Sequence, residues 1–541
     1  MFDPAGFYEL LSSNVDGVMD VLAPFNWFVI GYFLLLNTSY IVLVLLSFFH
    51  IRRQVRRSSV YKMTGLFSSD LYKPVSILAP AYNEEATIID SVDALLQIQF
   101  PDFEVIVIND GSSDATLERL RKHYELYEVP PPLDMPIDHE PIRQVYRSRM
   151  HRELVVVDKE NGRKADALNA GLNVADKELA CAIDADSILE PDVLMKMLRA
   201  FVEDDRTVAV GGIVRVANGC TIRHSVIEEV GMPDTYLARI QALEYLRAFL
   251  FGRVGWDYME SLLIISGAFG VFDRSAVLKV GGFLKETVGE DMELVVRLHR
   301  HHIENDIPYH IRFLPEPVCW TQVPEDWETL GRQRNRWQRG LFDTLWRHRK
   351  MLFNPSYGRL GMLAMPFFLF FELLGPVVEL LGFLYFFVVL ALGAVNTPFV
   401  LLFFCTAILL GMILSVSSVL CEEFTFRRYP GMRDVALLAG YAFLENIGYR
   451  QIHTWWRFRG LVDFLKGNMD WGEMVRHRFD DESTEGGADT PAREVTPGWR
   501  RRLIPWVYRG VVSVVALLLV LLVVQVLVFE GVLPAYLLPF S

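Results

Sequence analysis

Apolar positions along the chain fall into two kinds of run. Four are long: residues 25–49, 360–394, 398–420 and 504–529. About 20 apolar residues cross a hydrocarbon core of ~30 Å as a helix, so each is read as a membrane span. Residues 70–355 are different, with short β-branched runs alternating with amphipathic stretches. Val75-Ser76-Ile77-Leu78-Ala79, Val105-Ile106-Val107-Ile108, Val155-Val156-Val157 and Cys181-Ala182-Ile183 read as buried parallel strands, each ending in polar residues. Residues 84–99, 114–126 and 164–175 have helical periodicity between them. This alternation predicts an α/β domain, a doubly wound sheet inserted among transmembrane α-helices. Ligands of such sheets bind at the carboxyl ends of the strands.

The spans dictate a topology. Residues 1–58 form an N-terminal segment with the first span. It is read as retained, because Asp3 stands where a signal peptide has basic residues and no small-residue cleavage site follows. The basic run Arg52-Arg53-Gln54-Val55-Arg56-Arg57 follows at once and belongs in the cytoplasm. Residues 59–355 are then a cytoplasmic domain and 356–425 a membrane hairpin turning near Asn396-Thr397-Pro398. Residues 426–503 carry interfacial helices and a flexible loop; the stretch 434–450 is short for a span and is followed by Arg450, His453, Arg457 and Arg459. Residues 504–541 hold the last span. The expected location is multi-pass in the inner or plasma membrane, with the bilayer itself as a partner. No internal repeat points to a transporter of inverted halves.

Composition narrows the class. The 541 residues are 52% hydrophobic and 22% charged, which excludes disorder. A net charge of -13 with no basic stripe argues against nucleic acid. Five cysteines, widely spaced, offer no zinc pattern and are read as reduced thiols.

The strand ends carry the chemistry. They read Pro80-Ala81-Tyr82-Asn83-Glu84-Glu85, then Asn109-Asp110-Gly111-Ser112, then Asp158 with Gly162-Arg163-Lys164-Ala165-Asp166-Ala167-Leu168-Asn169, then Asp184-Ala185-Asp186. Any one alone is an ordinary turn or helix cap. Four carboxylate-bearing ends at one sheet edge repel one another and call for a cation. Hard oxygen ligands select magnesium or manganese, with substrate phosphates completing the shell. Asp184 and Asp186 reach one site only if the strand breaks after Asp184. Lys164 would supply counter-charge to the same phosphates. Further on stand Ser266-Gly267, Gly289-Glu290-Asp291 before an amphipathic helix, and Gln333-Arg334-Asn335-Arg336-Trp337 before the membrane hairpin. Glu290-Asp291 alone is favourable charge at a helix start, and the basic run alone is a lipid-facing helix.

In this order the motifs resemble the membrane-embedded processive family 2 glycosyltransferases, which make cellulose, chitin, hyaluronan and poly-N-acetylglucosamine. The resemblance covers residues 70–345, with a compatible membrane region to about 475. It implies a GT-A-like nucleotide-sugar domain. It places Ala81, Asn83, Glu84, Asp110, Lys164 and Asp184 around the nucleotide sugar, with Asp186 and Asp184 on Mg2+ or Mn2+. Asp291 becomes the general base, Glu290 its neighbour, and Ser266, Gly267, Gln333, Arg336 and Trp337 the acceptor and diphosphate site. The implied reaction is inverting, from a UDP-sugar (UDP-N-acetylglucosamine before UDP-glucose) to a growing glycan exported across the membrane, with Glu372, Glu379 and Glu445 lining its path. An accessory membrane subunit is left open as a partner.

Departures limit the transfer. Gly289 stands where the family's Thr-Glu-Asp element has threonine, Asp166 adds an acid, no cyclic-dinucleotide domain follows, and Trp471-Gly472 only loosely matches the loop closing over the nucleotide. Two alternatives are a non-processive transferase adding one sugar to a lipid or short glycan, and a membrane scaffold or channel, which leaves the aspartates unexplained.

Overall fold

A computed structural model describes residues 15–58, 72–184, 187–223, 226–391, 405–425 and 432–468. Their fold consists of two compact units, one drawn from Met1–Val42, Val377–Tyr449 and Glu482–Ser541, the other from Leu43–Pro376 and Arg450–Asp481.

The second unit is built on a sheet with strands β1 (Val75–Ala81), β2 (Phe103–Asp110), β3 (Leu126–Val129), β4 (Ile142–Ser148), β5 (Leu154–Lys159), β6 (Leu179–Ile183), β7 (Ile188–Leu189), β8 (Thr207–Val216), β9 (Phe269–Asp273) and β10 (His310–Thr321). Their order across the sheet is β3-β4-β5-β2-β1-β6-β9-β8-β10-β7. The middle follows directly from sequence. Runs such as Val105-Ile106-Val107-Ile108 and Val155-Val156-Val157 are fully buried, because parallel strands carry helices on both faces. β5, β2, β1 and β6 run parallel, so they end along one edge and bring Asp158, Asp110, Ala81 and Asp184 there together.

The sheet is mixed, and a doubly wound parallel sheet is corrected at both flanks. β4 is antiparallel to β5, and β9 is antiparallel to β6. For β9 the reversal matters. Phe269 pairs with Ile183, so residues 266–268 enter the sheet at the edge where β6 leaves it. Asp184 N donates to Ala268 O at 3.4 Å.

Seven helices bear on function: α1 (Val15–Ser58), α2 (Ile88–Leu96), α3 (Thr116–His123), α4 (Arg163–Val174), α5 (Glu290–Glu304), α6 (Trp327–Arg347) and α7 (Tyr449–Leu465). Among the described residues, two stretches are long and apolar enough to cross a membrane: Trp27–Ile51 within α1, of 25 residues, and Leu360–Phe387, of 28. Leu410–Leu420 is a shorter apolar helix. Met432–Leu444, at 13 residues, is about 20 Å long, less than a ~30 Å core. The expected hairpin turn at 396–398, Trp471-Gly472, the loop 478–500 and the last span 504–529 lie outside the described residues.

In the first unit, Asn37 Nδ2 donates to Thr406 O at 2.7 Å and the Phe25 and Tyr385 rings lie 5.4 Å apart. Glu445, expected to line an export path, is buried and accepts from Ser415 Oγ at 3.0 Å. Glu379 sits on the helix Gly375–Ala391. Of the cysteines, Cys181, Cys220, Cys319 and Cys405 are free thiols.

Candidate active site

A cavity of about 700 Å3 opens in the second unit beside the carboxyl edge of the sheet. Asn83, Glu84, Asp184, Ser266, Gly267, Glu290, Asp291, Gln333, Arg336 and Trp337 line it. Motifs scattered over 250 residues of sequence thus reach one space.

Local geometry explains how. Asn83 leaves β1 with φ 55° and Arg163 opens α4 with φ 72°, left-handed conformations costing non-glycine residues about 1–3 kcal/mol each. Polar contacts hold both. Asn83 Oδ1 accepts from Ser113 N at 2.8 Å, and Asn83 N donates to Ser112 Oγ at 3.0 Å. Arg163 N donates to Asp110 Oδ2 at 2.8 Å, and Gly162 N to Asp110 Oδ1 at 3.0 Å. Asp110 also accepts from the fully buried Lys159 at 2.7 Å, and Lys159 reaches Asp166 Oδ1 at 2.5 Å.

Asp110 was expected against the nucleotide. Its buried carboxylate anchors the start of α4, and it is not among the residues lining this cavity. Ala81 is likewise buried at the end of β1 and away from the cavity lining. The additional acid Asp166 is explained by the same cluster, as the second carboxylate of Lys159. Asp186 lies outside the described residues.

Anchoring α4 aims Lys164. Its Nζ lies 2.6 Å from Asp184 Oδ1 and 3.6 Å from Glu290 Oε1, and donates to Gly267 O at 2.9 Å. Burial works against its charge, but Asp184, Glu290 and Asp291 outweigh burial and hold its pKa above the usual lysine value. Asp291 stands opposite. A methyl group on Gly267 would lie 3.2 Å from Asp291 Oδ2 and 3.3 Å from Lys164 Nζ; the backbone is bare where the two side chains face each other. Burial and the neighbouring Glu290 raise the Asp291 pKa, against the opposing pull of Lys164, the Met292 amide and Arg253. Met292 N donates to Asp291 Oδ1 at 2.8 Å, fixing the carboxylate.

The third wall is α6. Its Asp326 cap accepts from Thr329 N at 2.8 Å. Gly289 explains the missing threonine: a Cβ there would lie 2.9 Å from Gly340 Cα, so α5 begins in backbone contact with α6. That contact sets Asp291 against the helix carrying Gln333, Arg336 and Trp337. Trp337 is 43% exposed, with the Arg334 guanidinium 4.4 Å from its ring centre. Gln333 Oε1 is buried without a hydrogen bond among the described residues.

Several lining residues carry no signal in the sequence. Arg253 and Phe249 come from a π-helical stretch, Leu246–Arg253, whose wider turn apolar periodicity does not reveal, and Tyr245 ends the α-helix that leads into it. Glu372, expected from the sequence on the export path, also lines this cavity and lies 3.2 Å from Arg457, whose Nε donates to Gln338 Oε1 at 2.9 Å. Beside them, burial and surrounding arginines push the His453 pKa well below its usual value, leaving the imidazole neutral.

Among the described residues, no group of three or more His, Cys, Asp or Glu side chains gathers as a metal site. Asp184 offers one hard carboxylate, partly exposed, at the strand end.

Residues 181–414 match the family described as glycosyl transferase family group 2, and residues 76–137 match glycosyl transferase family 2. A poly-beta-1,6-N-acetyl-D-glucosamine synthase of Staphylococcus epidermidis is 29% identical over 274 residues, 50% of this chain and 56% of the relative. The protein of that name from Staphylococcus aureus (strain COL) is 29% identical over 303 residues, 56% of this chain and 62% of the relative. The matched region is thus somewhat over half of each relative's length. Among solved structures, a mannosyltransferase of Pyrobaculum calidifontis in complex with GDP-Man and Mn2+ aligns over 80% of this chain and 99% of its own, at 18% identity and a TM-score of 0.43.

Proposed function

We propose that this chain, which its sequence matches make a family 2 glycosyltransferase, is an inverting, processive β-glycosyltransferase. It elongates a polysaccharide from a UDP-sugar, UDP-N-acetylglucosamine before UDP-glucose, and passes the product across the membrane that holds it. One observation carries the reading. Asp291, its pKa raised, shares one cavity with Asp184 and Trp337, and across the bare backbone of Gly267 it faces Lys164, which pairs with Asp184 beside that cavity.

The chemistry follows from that placement. The acceptor sugar rests against the exposed Trp337 ring with a hydroxyl at Asp291. Asp291 takes the hydroxyl proton, and the oxygen forms its bond to C1 of the donor from the far side. The bond from C1 to the diphosphate oxygen breaks, and its electron pair leaves with UDP. A single displacement turns an α-linked donor into a β-linked product. Lys164 and Arg336 hold negative charge on the departing diphosphate. A carboxylate at a strand end suits a divalent magnesium or manganese ion, which is commonly held by one or two carboxylates plus substrate phosphates; Asp184 would hold it, with Asp186. Such an ion supplies charge neutralisation at the leaving group.

Two apolar stretches of spanning length support a membrane setting, and the basic flank at Arg52-Arg53 supports a cytoplasmic catalytic unit. The 29% identity to poly-beta-1,6-N-acetyl-D-glucosamine synthases supports the sugar. The test is UDP release by the detergent-purified chain with magnesium or manganese across a panel of UDP-sugars, with the product sized on a gel. Turnover of one donor into high-molecular-weight material is expected. Turnover that yields only short or lipid-linked product overturns processivity.

A further inference from the structure

Arg253 takes no part in the chemistry above, yet it is built into the cavity with care. The helix Tyr236–Tyr245 continues into the π-helical stretch Leu246–Arg253. Widened turns are frequent at functional sites, and this one turns Tyr245, Phe249 and Arg253 toward the cavity. The stretch is strapped from behind by α1. Ser47 Oγ donates to Phe251 O at 2.7 Å, and His50 Nε2 lies 3.1 Å from Asp257 Oδ2. Asp257 Oδ1 in turn accepts from Phe313 N at 3.1 Å on β10. The backbone bearing Arg253 is thereby fixed between two elements.

The side chain is held but unsatisfied. Its guanidinium carbon sits 3.6 Å from the centre of the Phe249 ring, which covers one face. Nη1 is buried with no hydrogen bond among the described residues. A buried donor without a partner is costly, and a guanidinium is charged at every physiological pH. Burial lowers its pKa only to about 10, against the pull of Asp291. The missing acceptor atoms are therefore those of a ligand in the cavity. The reading above gives Lys164 and Arg336 to the donor's diphosphate, whereas the Arg253 charge acts on Asp291.

We propose that Arg253 is an acceptor-site residue: its guanidinium donates to an oxygen of the terminal sugar of the growing glycan and so orients that sugar's hydroxyl toward Asp291. The inference rests on the transferase reading above. It names a contact that neither the strand-end motifs nor the Gln333–Trp337 element supplies.

The test uses the full chain and β-linked N-acetylglucosamine oligosaccharides as acceptors, in wild type, Arg253→Met and Arg253→Lys. Loss of one charged hydrogen bond is expected to raise the acceptor KM about 10- to 100-fold. The donor KM stays within about twofold, since the donor does not engage the acceptor contact. An acceptor KM that stays put in both variants overturns the assignment, and so does a rise confined to the donor KM. The UDP-induced rise in Tm reports folding of each variant. If Arg253→Met loses it, Arg253→Lys decides alone, because it keeps the charge and loses the planar fork. A wild-type chain that transfers no sugar to any glycan overturns the transferase reading and this inference with it, whereas active wild type with unaltered variants overturns only the inference.

Discussion

Replacing Lys164 with methionine tests the electrostatics of the site. Asp291 Oδ2 and Lys164 Nζ lie 3.2 Å and 3.3 Å from one point, the Cβ position of Gly267. Their charges are therefore at most about 6.5 Å apart, where Coulomb's law at an effective dielectric of about 20 gives ~2.5 kcal/mol. That corresponds to ~2 pKa units. The Lys164 side chain is 15% exposed beside an open cavity, so screening brings the expected shift to about 1–2 units. The sign is fixed. Lys164 favours the ionised carboxylate, so Lys164→Met raises the Asp291 pKa further, and the base is protonated over a wider range of acidic pH. The assay is kcat/KM for UDP release from about pH 5 to 9, whose acid limb reports the free enzyme's base. The limb should move to higher pH in Lys164→Met and stay near its wild-type position in Lys164→Arg. Loss of the Asp184 contact lowers the plateau as well, but it does not move the limb. A limb that stays in place, or moves toward acid, refutes the pairing of Lys164 with Asp291.

Two structural changes follow from the same contacts. Gly289→Thr adds a Cβ that would meet Gly340 Cα at 2.9 Å; kcat should fall at least about tenfold while UDP still raises Tm, and unimpaired kcat contradicts the close crossing of α5 and α6. Lys159→Met leaves Asp110 and Asp166 without the cation that contacts both at 2.7 Å and 2.5 Å. Breaking such a buried cluster costs about 3–5 kcal/mol, so thermal unfolding in detergent should drop by several degrees, and an unchanged Tm contradicts the structural role given to Asp110.

The parallel heart of the sheet is legible in the sequence because doubly covered strands are continuous apolar runs. β4 and β9 are not, since Ile142–Ser148 mixes polar and apolar residues with no continuous apolar run and the direction of a strand leaves no mark on its composition. The motif residues that line the cavity were found because strand ends and helix starts are where chemistry collects. Asp110 shows the limit of that logic. Nothing in Asn109-Asp110-Gly111 announces that Lys159 and the Gly162 and Arg163 amides will claim its carboxylate, because those partners come from chain about 50 residues away. Arg253 was invisible for a different reason: its place depends on a π turn, and periodicity reasoning assumes 3.6 residues per turn. Gly289 read as a departure from a motif until Gly340 supplied its steric cause.

The most direct measurement compares wild type with Asp291→Asn in polymer synthesis from the donor that the UDP-sugar panel identifies. Removal of a general base should cut kcat about 10^2- to 10^4-fold, with the UDP-induced rise in Tm retained because asparagine keeps the shape at the start of α5. Synthesis by Asp291→Asn at the wild-type rate would contradict the assignment of Asp291 as the base and, with it, the mechanism built around the cavity.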